Sequence, residues 1–123
     1  MAKSRIMVID DEKIVGDMAR LSLEQDGYVV ETFLNAEPAL KRLQDEKFDV
    51  VVTDYKMKGI DGMEVLKTVK DRYPATQVIM ITAFANLDAA IEALRREVHD
   101  FFPKPVKIKE LKASIKRALE KQA

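Results

Sequence analysis

Three unbroken apolar runs constrain this chain most: Ile6-Met7-Val8-Ile9, Val50-Val51-Val52 and Val78-Ile79-Met80-Ile81. A strand with one wet face alternates apolar and polar residues. An unbroken run rich in branched side chains suits a strand buried on both faces, as in a parallel sheet covered by helices. Weaker strand signals lie at residues 28–33, after the turn residues Asp26-Gly27, and at residues 100–102. Between these runs the apolar period becomes helical. Ile14, Met18, Leu21 and Gln25 share one face, and Ala36, Ala39, Leu40 and Leu43 share another. Leu66, Val69 and Tyr73 form a third stripe between Gly62 and Pro74; Leu87, Ala90, Ile91 and Leu94 form a fourth; Ile108, Leu111, Ile115 and Leu119 form a fifth. Pro38 is tolerable in a first helical turn, and Pro74 ends the third helix. Strand and helix thus alternate five times. That order predicts one α/β domain over residues 1–123, with a parallel sheet, helices on both faces and right-handed crossovers.

Composition narrows the function. With 47% hydrophobic and 34% charged residues the chain is globular rather than disordered. It has no Cys and a single His, which removes disulfides, thiol nucleophiles, thiolate zinc sites and multi-histidine metal sites. No apolar run approaches the ~18 residues of a membrane span, and the N-terminus lacks a signal-peptide layout, so a cytoplasmic protein is expected. Acids and bases balance at 21 each, although residues 1–61 are net acidic and residues 62–123 net basic. That mild asymmetry does not predict nucleic-acid binding.

In an open parallel sheet, function gathers beyond the carboxyl ends of the strands. The first apolar run ends in Asp10-Asp11, the third strand in Asp54 and the fourth in Thr82, and the fifth is followed by Lys104-Pro105. Each has a plain alternative: an Asp at such a junction caps a helix, a Thr ends a strand, and Lys-Pro makes a turn. Their coincidence at one sheet edge points to a site. Three carboxylates there repel, at about 3 kcal/mol per pair for ~5 Å and an effective dielectric of ~20. Either their pKa values rise or a cation binds. Hard oxygen ligands without His or Cys suit Mg²⁺. Lys104 adds a point charge suited to a phosphoryl oxygen, and Thr82 a hydroxyl donor. Together these groups describe phosphoryl transfer to an aspartate. Asp61-Gly62 reads as a turn and helix start.

The segments IMVIDDE, VVVTDYKMKGIDG, VIMITA and DFFPKP, in this order and spacing, resemble the CheY-like receiver domain of two-component response regulators over essentially the whole chain. The resemblance implies a flavodoxin-like (βα)5 three-layer sandwich with strand order 2-1-3-4-5. It implies that Asp54 accepts a phosphoryl group from a sensor histidine kinase or a phosphotransfer protein. Asp11, Asp54 and the backbone carbonyl of Lys56 would ligate Mg²⁺, with Asp10 acting through a water. Lys104, aimed by a cis peptide to Pro105, would bridge to the phosphoryl group. Thr82 and Phe101 would form the switch, altering the surface of the fourth helix, fifth strand and fifth helix. That surface would meet an output domain or effector, or a second copy in a homodimer.

The sequence departs from the family's pattern at several places. Lys58 stands where Pro is frequent, which leaves that loop less restrained or leaves the turn to Gly59 and Asp61. Glu97-Val98 replaces a Gly-Ala pair, so Val98 should displace the end of the fourth helix or enter the core. Phe101 holds a position often filled by Tyr, so its rotamer should rest on packing alone. His99 is expected at the surface without a role. Phe84 and Lys56 flank the acceptor, and neither positions a hydrolytic water, so a long-lived phosphorylated state is expected. The basic residues of segment 107–121 read as a solvated face, or else as a partner surface with Arg95, Arg96, Asp88, Glu92 and Asp100. The sequence excludes less well two other functions: a haloacid-dehalogenase-like aspartyl-phosphate phosphatase, whose usual second Asp is here Lys56, and a non-phosphorylated docking module. Turnover enzymology is not expected, and a phosphate-binding glycine loop is absent. The ending IKRALEKQA is compatible with a stand-alone domain or with a receiver that continues into an output domain.

Overall fold

The computed structural model describes residues 3–83 and 86–121. The continuous runs become β1 (Arg5–Ile9), β3 (Val50–Asp54) and β4 (Gln77–Thr82), and the weaker signals become β2 (Val29–Phe33) and β5 (Asp100–Pro103). The helices are α1 (Lys13–Gln25), α2 (Ala36–Asp45), α3 (Gly62–Arg72), α4 (Leu87–Arg95) and α5 (Ile108–Lys121). All strand pairs are parallel, in the order β2-β1-β3-β4-β5.

The runs lack alternation because both sheet faces are dry. Met7, Ile9, Val51, Val78 and Met80 pack with Ala39, Leu43, Leu66, Val69 and Ala93 of α2, α3 and α4. Their sequence neighbours Ile6, Val8, Val50, Val52, Ile79 and Ile81 pack with Ala19, Leu23, Leu111, Ile115 and Ala118 of α1 and α5. Successive strand side chains therefore feed opposite cores. Each fully buried Val, Ile or Leu contributes roughly 1.5–3 kcal/mol of transfer free energy.

Local signals set the helix ends. Asp61 caps α3, its carboxylate accepting from the Glu64 amide at 3.0 Å, as the turn reading anticipated. Asn86 caps α4 through the Ala89 amide at 2.8 Å. Helix α3 stops at Arg72, ahead of Pro74. Glu97 follows α4 with φ of 65°, the left-handed conformation that ends many helices. Val98 is buried in the core, which is where the sequence departure at this position takes effect.

Two apolar stripes read from the sequence do not face the core. On α1, Ile14, Met18 and Leu21 are about two-thirds exposed, whereas Gly16, Ala19 and Leu23 are buried. On α4, Leu87 and Leu94 are exposed and Ala89 and Ala93 are buried. The reason is close approach. Gly16 and Ala19 on α1, and Ala89 and Ala93 on α4, let each helix lie near the sheet, with Leu23 filling the core beyond them, and the larger apolar stripe is left outside. His99, expected at the surface, is half-buried, and its Nε2 lies 3.0 Å from the Ser114 carbonyl oxygen of α5. Among the described residues no helix is long and apolar enough to cross a membrane.

Candidate phosphoacceptor and cation site

The strand order places β1 beside β3, so the loops leaving them diverge to opposite sheet faces and open a crevice between. Asp10 enters it directly after β1. Its amide donates to the Phe33 carbonyl at 3.0 Å, and its Oδ1 accepts from the Glu12 amide at 2.9 Å. This bond is an Asx-type turn onto Glu12, the residue before α1, so Asp10 is not the cap of that helix. The other carboxylate oxygen, Oδ2, is buried without a hydrogen bond and points at the Lys104 ammonium 3.0 Å away. Asp54 ends β3 and is 5% exposed.

The backbone of Asp54 is held closely from below. The Gly62 amide donates to the Tyr55 carbonyl at 2.8 Å, and a Cβ on Gly62 would stand 2.2 Å from the Asp54 carbonyl oxygen. Gly62 thus serves as more than a helix start, since only a hydrogen fits between α3 and the acceptor strand.

Lys104 reaches the crevice from the far end of the sheet. Its amide donates to the Thr82 carbonyl at 2.8 Å, which ties the β5 exit to the end of β4, and its peptide bond to Pro105 is cis. Its Nζ lies 2.8 Å from Glu12 Oε1, 2.9 Å from Asp54 Oδ2 and 3.0 Å from Asp10 Oδ2. Burial opposes the lysine's charge, but the contacts with the Glu12, Asp54 and Asp10 carboxylates outweigh it and hold its pKa above the usual lysine value. Burial likewise pushes the Asp10 carboxyl above its ordinary range, although the Glu12 amide and Lys104 oppose the shift. The crowding of the three carboxylates is thus met by an internal cation, while the rise at Asp10 comes first from burial.

The carboxylates that converge are Asp10, Glu12 and Asp54, with one oxygen of each within 4.8 Å of the others. Asp11, expected as a direct ligand, is exposed and outside this group. Glu12 was missed in the sequence, although the third acid of Asp10-Asp11-Glu12 was its signal. Lys56 is exposed, its ammonium 5.6 Å from the Tyr55 ring centroid. Thr82 is fully buried at the end of β4. Phe101 is half-buried against the α2–α4 core. Phe84 lies outside the described residues. A groove of about 390 Å³ opens beside Glu12 and Lys104, walled by Val15, Pro105 and Val106.

The donor set suits a hard divalent cation. Among the described residues the converging group offers carboxylate oxygens alone, one of them buried with only the ionic contact to Lys104. The same crevice presents a nearly buried carboxylate to an ammonium on a long side chain, which is the minimum for accepting and holding an anionic group.

Comparison with known proteins agrees with this geometry. The family profile described as "Response regulator receiver domain" matches residues 6–116. The chain is 35% identical over 119 residues to the DNA-binding transcriptional regulator NtrC of Proteus hauseri, covering 97% of this chain and 25% of that protein. It is 30% identical to the response regulator protein PilR of Pseudomonas aeruginosa, covering 97% of this chain and 27% of that one. The chain thus spans about a quarter of the length of these relatives. Among solved structures, a CheY-like receiver domain protein from Methanospirillum hungatei superposes with a TM-score of 0.94 at 29% identity, covering 98% and 97% of the two chains. The beryllofluoride-activated NtrC4 receiver domain dimer superposes with a TM-score of 0.92 at 29% identity, covering 97% and 98%. From its strand order, its acidic crevice and these matches, the chain belongs to the response regulator receiver domain family, as a phosphorylatable receiver of the two-component type.

Proposed function

We propose that Asp54 is the phosphoacceptor, that Lys104 stabilises the phosphoryl group, and that Thr82 and Phe101 carry the change to a partner surface. One observation supports this most: an ammonium within 3.0 Å of both the nearly buried Asp54 carboxylate and the buried Asp10. The donor is a phosphohistidine on a sensor histidine kinase or a phosphotransfer protein. An Asp54 carboxylate oxygen forms the new O–P bond in line as the donor's N–P bond breaks, and that electron pair stays on the imidazole nitrogen. Lys104 then leaves the Asp54 carboxylate for a phosphoryl oxygen, a stronger partner because the group brings more negative charge.

Asp10 and Asp54 offer the buried oxygens that fit Mg²⁺, with Glu12 exposed beside them, and the resemblance implies Asp11, Asp54 and the Lys56 carbonyl as ligands with Asp10 acting through a water. Bound there, Mg²⁺ supplies neutralising charge for the phosphoryl oxygens. The chemistry modifies the domain itself and turns over no substrate.

The output route runs along β4 and β5. Thr82 ends β4, and Phe101 lies on the neighbouring strand, whose Asp100 holds Ser114 Oγ of α5 at 2.7 Å and Arg117 at 3.3 Å. Phosphorylation biases a pre-existing equilibrium of this β5–α5 unit and α4. The exposed Leu87 and Leu94 of α4 belong to that surface, which would meet an output domain, an effector or a second copy in a homodimer. Because Asp100 is engaged within the chain, it contributes less to a partner surface than its charge suggests. A cytoplasmic location follows from the kinase partner.

The test is incubation with a small phosphodonor and Mg²⁺, read by intact mass for wild type and Asp54→Asn. Wild type gains one phosphoryl group, about 80 Da, and the variant gains none. An equal adduct on both proteins overturns the assignment of Asp54.

A further inference from the structure

Lys104 has three anionic partners of different kinds. Asp10 and Asp54 are buried, with side chains 0% and 7% exposed, while Glu12 stands at the mouth with 60% exposure. Hydrogen bonds of good geometry go to Glu12 and Asp54; Asp10 Oδ2 has only the ionic contact. A divalent cation among the buried oxygens and an ammonium on the same oxygens repel each other, so the two compete for Asp10 and Asp54. Glu12 is the partner that Lys104 can keep when it cedes the other two. Its 2.8 Å contact faces the open groove bordered by Pro105 and Val106, so keeping it needs no burial of charge.

We infer that Glu12 is a positioning residue that retains the Lys104 ammonium at the rim of the site when a divalent cation occupies the buried carboxylates. The inference rests on the cation-site reading above and deepens it. Without Glu12, the ammonium of the cation-loaded protein has no carboxylate to hold it near the acceptor. In the cation-free protein its loss matters less, because Asp10 and Asp54 remain. Glu12 therefore favours the loaded state through Lys104, over and above the attraction any nearby negative charge exerts on a cation.

This separates a tether from a direct ligand by the sign of a coupling. The measurement is Mg²⁺ affinity by calorimetric titration of the full chain for wild type, Glu12→Gln, Lys104→Met and the double variant. Met keeps the length of the buried stem, and Glu12 is exposed, so both substitutions leave the core intact; circular dichroism checks this. A tether predicts that Glu12→Gln weakens affinity about tenfold with Lys104 present and only about threefold without it. A direct ligand gives the opposite order, since a Glu12 bound to the cation is lost to Lys104. That result, or equal effects in both backgrounds, overturns the inference while leaving the cation site standing. A flat wild-type isotherm at millimolar Mg²⁺ overturns the site reading and the inference together. The Lys104 ε-methylene resonance gives a second readout: on Mg²⁺ saturation it should stay ordered in wild type and average to the exposed-lysine position in Glu12→Gln. An identical response in the two proteins counts against a tether.

Discussion

Gly62 and Gly16 are both buried helical glycines, and replacing each with Ala should have opposite effects. A Cβ on Gly62 would lie 2.2 Å from the Asp54 carbonyl oxygen and 2.8 Å from the Tyr55 Cα. A carbon–oxygen contact normally needs about 3.3 Å, so roughly 1 Å of movement is required. The obstacle is backbone and cannot rotate aside. If α3 retreats, the Gly62–Tyr55 hydrogen bond of 2.8 Å lengthens, at a cost of about 1 kcal/mol. Overpacking beside the buried Met63, Val65 and Leu66 adds about 1–3 kcal/mol, which gives a total of about 2–4 kcal/mol. A Cβ on Gly16 instead meets the Thr32 side chain at 3.6 Å, an ordinary contact. There Ala removes a helix-interior glycine and should stabilise by about 0.5–1 kcal/mol. Urea unfolding of the three proteins measures both. With a slope of about 1–3 kcal/mol per molar, Gly62→Ala should lower the midpoint by at least ~0.7 M, and Gly16→Ala should raise it. Phosphoryl uptake should also slow in Gly62→Ala, because the acceptor's own peptide is displaced. A Gly62→Ala midpoint within ~0.3 M of wild type, or equal losses at both sites, would refute the close-packing argument.

Three further outcomes follow from the same geometry. Glu97→Gly should stabilise the domain by about 0.5–1 kcal/mol in thermal or urea melts, because the position after α4 has a φ of 65° that a Cβ disfavours. Asp10→Asn keeps an oxygen for the Glu12 amide but removes a buried charge, so without Mg²⁺ it should stabilise by roughly 1 kcal/mol. Asp10's folded pKa is raised, so the native state gains protons before the unfolded chain does; the wild type's deficit should shrink as pH falls into the carboxylate range. Saturating Mg²⁺ should reverse the order of the melting temperatures, since only wild type keeps the full ligand set. Burial, then the charge of Lys121, holds His99 below the usual histidine pKa. The unfolded chain therefore takes up the proton first, and stability drops as pH falls through about 6.5 with a slope of at most ~1.4 kcal/mol per unit; His99→Gln should flatten that part of the profile in urea melts at pH 7.5 and 5.5.

The sequence by itself determined the strand cores, the alternation and the edge where chemistry gathers. Unbroken runs of β-branched residues such as Val50-Val51-Val52 suit a sheet covered on both faces, where no side of the strand meets water. A residue that ends such a strand then has a known height in the fold, which is why Asp54, Thr82 and Lys104 could be placed without coordinates. Periodicity shows which residues share a helix face but not which face meets the sheet. Gly16 and Ala19 with Leu23 on α1, and Ala89 and Ala93 on α4, took the sheet side, and Ile14, Met18, Leu21, Leu87 and Leu94 were left outside. Which carboxylates converge also depends on side-chain direction within a tight loop. The turn that Asp10 makes onto the Glu12 amide sends Glu12 to Lys104 and leaves Asp11 exposed. The steric need at Gly62, the α5 partner of His99 and the lysine lying among three acids all arise from contacts between segments distant in the chain. Local pattern carries no record of such contacts, because they exist only once the sheet has set the distances between its loops.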